Sequence, residues 1–196
     1  MIDFEKLTLE FPFLSELDST DMLEFLSYTK ILNLNSGDIF LEQGSLKSNI
    51  FFVKKGLIRS YFIKENGEEI TNRLRYENQL MASLEVNLFN QPSRFIFQAI
   101  EPTELIVISF HDLRQLLERN KKFESGRRFF LATTLAESLK ALDEFILLSP
   151  EKRYLKFAKE NPELLNRVPI KYIANVLGIT PVSLSRIRKR VATKKQ

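Results

Sequence analysis

Between about residues 30 and 110 the apolar positions fall in short runs rich in β-branched and aromatic side chains: Ile31-Leu-Asn-Leu34, Ile39-Phe-Leu41, Ile50-Phe-Phe-Val53, Leu57-Ile-Arg-Ser-Tyr-Phe-Ile63 and Leu105-Ile-Val-Ile108. Gly37, Gly44, Gly56 and Gly67 punctuate these runs, as turns between strands require. The pattern predicts an antiparallel β sandwich or roll. Ahead of it, Asp18-Ser-Thr-Asp21 followed by Met22, Leu23, Phe25 and Leu26 predicts an amphipathic helix, because short polar side chains can accept the unpaired amide hydrogens of a first turn.

After Phe110 the period changes to that of a helix. His111 to Glu118 reads as one short helix, and a longer one is predicted from about Lys121 to Leu148, with Gly126 a weak point. Within it Leu131, Leu135, Ser138, Leu142 and Phe145 recur at steps of four and three, widened by Thr134, Ala141 and Leu148. That spacing keeps one stripe facing a partner helix and predicts a dimer seam. Packing of the same stripe on the roll is the alternative. Ser149-Pro150-Glu151 ends this helix, since proline disfavours helical geometry in the residue before it and suits the first turn of the next.

The last segment carries the most informative spacing. Ile170, Ile173, Ala174 and Leu177 form the buried stripe of one short helix, and Gly178 ends it. Thr180 is a good N-cap and Pro181 a good first-turn residue for a second helix, which would bury Leu184, Ile187 and Val191. Two helices about a glycine turn predict a helix-turn-helix, whose second helix enters the major groove of DNA. At 100° per residue, the side opposite the buried stripe carries Val182, Ser185, Arg186 and Lys189 as candidate base contacts. Arg186 can bond both acceptors of a guanine edge, and Val182 can touch a thymine methyl. Thr180, Ser183, Arg188 and Arg190 are better placed for phosphates. A structural end-cap and an RNA-binding surface are the other readings of such a hairpin.

Charge supports a polyanion partner for this end. Residues 1–110 hold 10 Lys and Arg against 16 Asp and Glu, whereas residues 151–196 hold 12 against 3. A solvated basic face would have the same composition. Zero cysteines exclude disulfides, cysteinyl zinc sites and cysteine-ligated iron-sulfur clusters, and the lone His111 leaves little for metal or acid-base chemistry. With no phosphate loop and no nucleophile-histidine pair, no enzyme and no cofactor are expected. No apolar run reaches the roughly 20 residues of a membrane span and no signal peptide is evident, so a cytoplasmic protein is expected.

The stretch Lys171-Tyr-Ile-Ala-Asn-Val-Leu-Gly-Ile-Thr-Pro-Val-Ser-Leu-Ser-Arg-Ile-Arg-Lys189 resembles the Crp/Fnr superfamily of bacterial regulators, in the form of its Bacteroidetes-type members. The resemblance extends along the chain. It implies an α+β protein: a cyclic-nucleotide-binding-type β-roll, or jelly-roll, as sensor domain (residues 1–120), a dimerisation helix and linker (121–149) and a C-terminal winged helix-turn-helix (150–196). It further implies a homodimer on a roughly palindromic site in double-stranded DNA, with RNA polymerase as a partner. A β-hairpin wing after the recognition helix is not expected within this chain, which ends at Gln196.

The family's effector pocket maps onto Met81 to Phe95. Arg94 matches the arginine that holds a cyclic phosphate, while Ser83 and Leu84 stand at the Gly-Glu positions, Glu85 fits with a shift of one, and Phe95 replaces a hydroxyl residue. Loss of the glycine and the ribose carboxylate predicts that cyclic AMP is not the ligand. What remains is an organic ligand, a protein partner or none. A ligand-binding or protein-docking module, with the helical hairpin as interaction surface, is the competing function.

Overall fold

The computed structural model describes residues 11–193. A 3₁₀ turn, Pro12–Glu16, leads into α1 (Ser19–Ser27). Eight strands follow: β1 (Thr29–Leu34), β2 (Ile39–Leu41), β3 (Asn49–Lys55), β4 (Leu57–Ile63), β5 (Glu69–Tyr76), β6 (Leu80–Ala82), β7 (Ile96–Ala99) and β8 (Thr103–Ser109), with α2 (Leu84–Phe89) between β6 and β7. Then come α3 (Phe110–Arg119), α4 (Phe123–Leu147), α5 (Pro150–Glu160), α6 (Leu164–Arg167), α7 (Ile170–Val176) and α8 (Pro181–Thr193).

The strands form two four-stranded sheets in the orders β1-β8-β3-β6 and β2-β7-β4-β5. In the first sheet β3 and β8 run antiparallel with Phe51 opposite Val107 and Phe52 opposite Ile106. Side chains alternate across a strand, so Phe51, Val53 and Leu105 point one way, into a core completed by Leu41, Ile58, Met81 and Phe97. Each such side chain, fully buried, contributes about 1.5–3 kcal/mol. Phe40 and Phe51 meet edge to face at 4.9 Å between centroids. Gly56 closes the β3–β4 turn at φ +102°, and a Cβ there would stand 2.4 Å from the Thr103 hydroxyl oxygen. Only glycine fits on both counts.

The described residues divide into two compact units, 11–60 with 75–135 and 61–74 with 136–193. In the first, Asp18 caps α1 by accepting from the amides of Thr20 and Asp21, and the Asp21 carboxylate accepts from the Asp18 amide. Lys122 donates to both carboxylates, at 3.0 and 2.7 Å. Its ammonium, with the Asp18 amide, holds the Asp21 carboxyl down at about 2.

In the second unit Tyr154, Leu164, Val168, Ile173, Ala174, Leu177, Leu184 and Ile187 are buried. The Thr71 amide, on β5, donates to the Asn175 side chain at 3.2 Å, and Arg73 donates to the Ser138 hydroxyl at 2.9 Å. The hydrophobic pattern singles out neither β5, β6 and β7 nor α2. It also expects Ile170 in the buried stripe, whereas this residue begins α7 and is 37% exposed. No helix of the described residues is long and apolar enough to cross a membrane.

Candidate functional site

The α7–α8 pair is built by local hydrogen bonding that the sequence dictates. Gly178 takes φ +65°, its amide donates to the Asn175 carbonyl at 2.9 Å, and the Ile179 amide donates to the Ala174 carbonyl at 3.0 Å. This is a Schellman termination, in which a left-handed residue satisfies the last free carbonyls. Two residues later the Thr180 hydroxyl accepts from the Ser183 amide at 3.1 Å, capping α8, and donates to the Ser183 hydroxyl at 3.0 Å.

Leu184 and Ile187 are buried and Val191 is half-buried, so α8 is anchored along the predicted stripe. Val182, Ser185, Arg186 and Lys189, on the side of the helical wheel opposite this stripe, are all exposed, and Arg188 is exposed at the flank of the stripe. Thr180 is exposed and Ser183 half-buried at the first turn. Arg190, read from the sequence as a phosphate contact, is engaged inside the unit: its guanidinium pairs with Glu151 at 2.7 Å.

Arg153 is a residue that sequence reasoning missed. It donates to the Leu148 carbonyl at 2.8 Å and to the Leu177 carbonyl at 3.0 Å, with its guanidinium 4.8 Å from the centre of the Phe145 ring. One cation therefore serves the C-terminal ends of both α4 and α7, where carbonyls lack helical partners. Only its place in the first turn after Pro150 hinted at this.

The candidate seam residues of α4 have different surroundings. Leu135 and Leu142 are exposed, at 61% and 55%, while Leu131 is half-buried. Ser138 accepts from Arg73, and Phe145 lies against Gly178 and Arg153. The most exposed apolar stripe runs through Leu135, Leu139, Leu142 and Ile146, again at steps of four and three.

In the first unit Glu85, Arg94 and Phe95 are brought close together. Ser83, the residue between β6 and α2, is buried, and its hydroxyl has no hydrogen-bond partner among the described residues. Glu85 accepts from the Arg94 amide at 2.9 Å and pairs with its guanidinium. The Arg94 guanidinium stands 5.5 Å over the Phe95 ring, which packs on the roll core. The shifted Glu85, rather than Leu84, is thus the carboxylate facing Arg94. Among the described residues no group of three or more His, Asp or Glu is placed to hold a metal ion.

Residues 31–120 match the model of the cyclic nucleotide-binding domain. Among curated proteins nothing matches the chain. Among solved structures, the c-di-GMP-responsive global regulator CLP of Xanthomonas campestris is similar at 13% identity, with 91% of this chain and 93% of that one covered and a TM-score of 0.70. The catabolite activator protein of Thermus thermophilus is similar at 23% identity, covering 94% and 88%, with a TM-score of 0.57. A transcriptional regulator of the Crp/Fnr family from Eubacterium rectale is similar at 16% identity, covering 93% and 87%, with a TM-score of 0.70. These likenesses establish a shared fold.

Proposed function

We propose that this chain, which carries a cyclic nucleotide-binding domain on the fold of the Crp/Fnr regulators, is a bacterial cytoplasmic transcription regulator that binds a roughly palindromic site in duplex DNA as a homodimer. One observation carries the reading: α8 is anchored by Leu184 and Ile187, while Val182, Ser185, Arg186 and Lys189, on the opposite side of the wheel, are all exposed. An arginine among small and apolar side chains suits base edges in a major groove, and the lysines and arginines around it suit phosphates. The charge excess of residues 151–196 supports the same partner, since such contacts release condensed counterions.

The exposed leucines of α4 supply the seam of the dimer, and RNA polymerase is the downstream partner. Cyclic AMP is not the effector in this reading, because Ser83 and Leu84 stand where the family has its glycine and ribose-binding glutamate; an organic ligand, a protein partner or none remains for the roll. Catalysis has no part in the reading. Selection of bound duplexes from random sequence tests it. The expected outcome is a two-fold symmetric site bound at physiological salt; no binding to any duplex, even at low salt, would favour the hairpin as a protein-docking surface.

A further inference from the structure

The first unit contains a second recess, unrelated to Glu85 and Arg94. Among the described residues it is a cavity of about 250 Å³. Ile50 and Phe52 of β3, Leu80 of β6, and Ile106 and Ile108 of β8 form its floor. On each of these strands the neighbours Phe51, Val53, Met81 and Leu105 belong to the roll core. By the alternation of side chains the cavity therefore lies on the opposite face of that sheet, outside the roll. Helices flank it: Met22 and Phe25 of α1, Leu84 of α2, Leu113 of α3 and Phe130 of α4 form its sides, and the recess stays open on part of its rim.

The polar side chains in the lining are committed elsewhere. The Thr29 hydroxyl donates to the Leu26 carbonyl at 2.9 Å. Asn87 accepts from the Ser48 hydroxyl at 2.7 Å and donates to the Asn49 carbonyl at 3.3 Å. Arg127 donates to Glu124 at 2.9 Å. A charged or strongly polar guest would thus be stripped of water with nothing to bond to, whereas an apolar one gains contact with leucines, isoleucines and phenylalanines. Size narrows the class. Close-packed interiors leave few voids larger than a water molecule, and an apolar cavity of about 150 Å³ already takes up benzene.

We propose that this cavity binds an uncharged apolar small molecule bulkier than a single benzene ring, either a fused aromatic or an aliphatic chain of similar volume. The site stands independently of DNA binding. Because Phe130 and Leu131 belong to α4, the guest touches the same helix whose exposed leucines begin at Leu135.

Titration of the full chain with the neutral fluorophore N-phenyl-1-naphthylamine tests the proposal. The expected result is saturable binding of one molecule per chain. Decanol should compete at least tenfold better than decanoate, and the probe's ring protons should show nuclear Overhauser contacts to the Met22 methyl. Leu84→Trp and Leu113→Trp, each filling the cavity, should weaken the probe at least tenfold with Tm held or raised. Non-saturable partitioning, no binding, or no contact to Met22 at saturating probe would leave the recess to the chain itself or to a second copy, and would overturn the site. Equal competition by decanoate would overturn the uncharged class. Unaltered affinity in both filled variants, folded as judged by Tm, would also sink the site.

Discussion

The Phe145 ring occupies the space that a side chain on residue 178 would need: a Cβ built on Gly178 lies 2.3 Å from the Phe145 Cε1 atom. The turn between α7 and α8 is thereby joined to the last turns of α4 by the absence of one carbon. Gly178→Ala must tolerate φ +65° and also move the ring, so a loss of more than about 1 kcal/mol is expected. Phe145→Ala in the same chain should recover the part due to the ring and none of the part due to the backbone. Thermal unfolding of the two single variants and the double variant measures this as a departure from additivity. Strict additivity would mean the ring gives way freely.

Arg186 and Arg190 should divide specificity from general affinity. Arg186→Ala is expected to lose about 1–3 kcal/mol on the selected duplex and to relax preference at one base pair per half-site, with little change on scrambled DNA. Arg190 is shared with Glu151, so Glu151→Gln should strengthen binding to all sequences alike, and Arg190→Ala should weaken it alike. Both effects are read across a salt series. A change of sequence preference on altering Arg190 would show that α8 lies otherwise in the groove.

Leu135→Asp and Leu142→Asp, placed on the exposed stripe of α4, should each give a monomer by light scattering and abolish binding to the two-fold symmetric site. A dimer in both variants would move the interface off this helix.

Acid should reveal the pair at the start of the roll. The Asp21 carboxyl is depressed from 3.8 to about 2, chiefly by the Lys122 ammonium. A depressed carboxylate contributes stability that is complete above its unfolded value and is lost as pH falls through the folded one. Lys122→Met should therefore lower Tm above about pH 4, and the difference from the unaltered chain should shrink towards pH 2. A difference that persisted undiminished at pH 2 would assign the effect to lost packing of the lysine stem.

Much of the helical frame was legible because its ends carry their own chemistry. Asp18, Ser149 and Thr180 cap helices through their side chains, Pro150 and Pro181 start them, and Gly178 stops one, all by interactions within a few residues. The strands missed were those whose partners are remote. Glu69–Tyr76 shows only Ile70, Leu74 and Tyr76 as apolar positions, and two of its polar groups find partners on Asn175 and Ser138, far along the chain. The six residues of α2 are too few for a period to emerge. Within the recognition helix, spacing located the exposed face but could not foresee Glu151 beside Arg190, because that pairing depends on how α5 packs.

The first sheet is apolar on both faces, and this bears on how the chain finds its pairing during folding. Where one face meets water, a one-residue slip is punished by exposing every core side chain at once. On β3 a slip in one direction would bury Lys54 and is resisted, but a slip in the other would exchange Phe51 and Val53 for Ile50 and Phe52, and burial alone would barely resist it. The discrimination falls to the corner at Gly56, where the chain passes Thr103 so closely that no displaced residue could take its place. A single glycine thus serves as the alignment mark for the sheet, and substitution there would be expected to populate misaligned, aggregation-prone species before it abolished the fold.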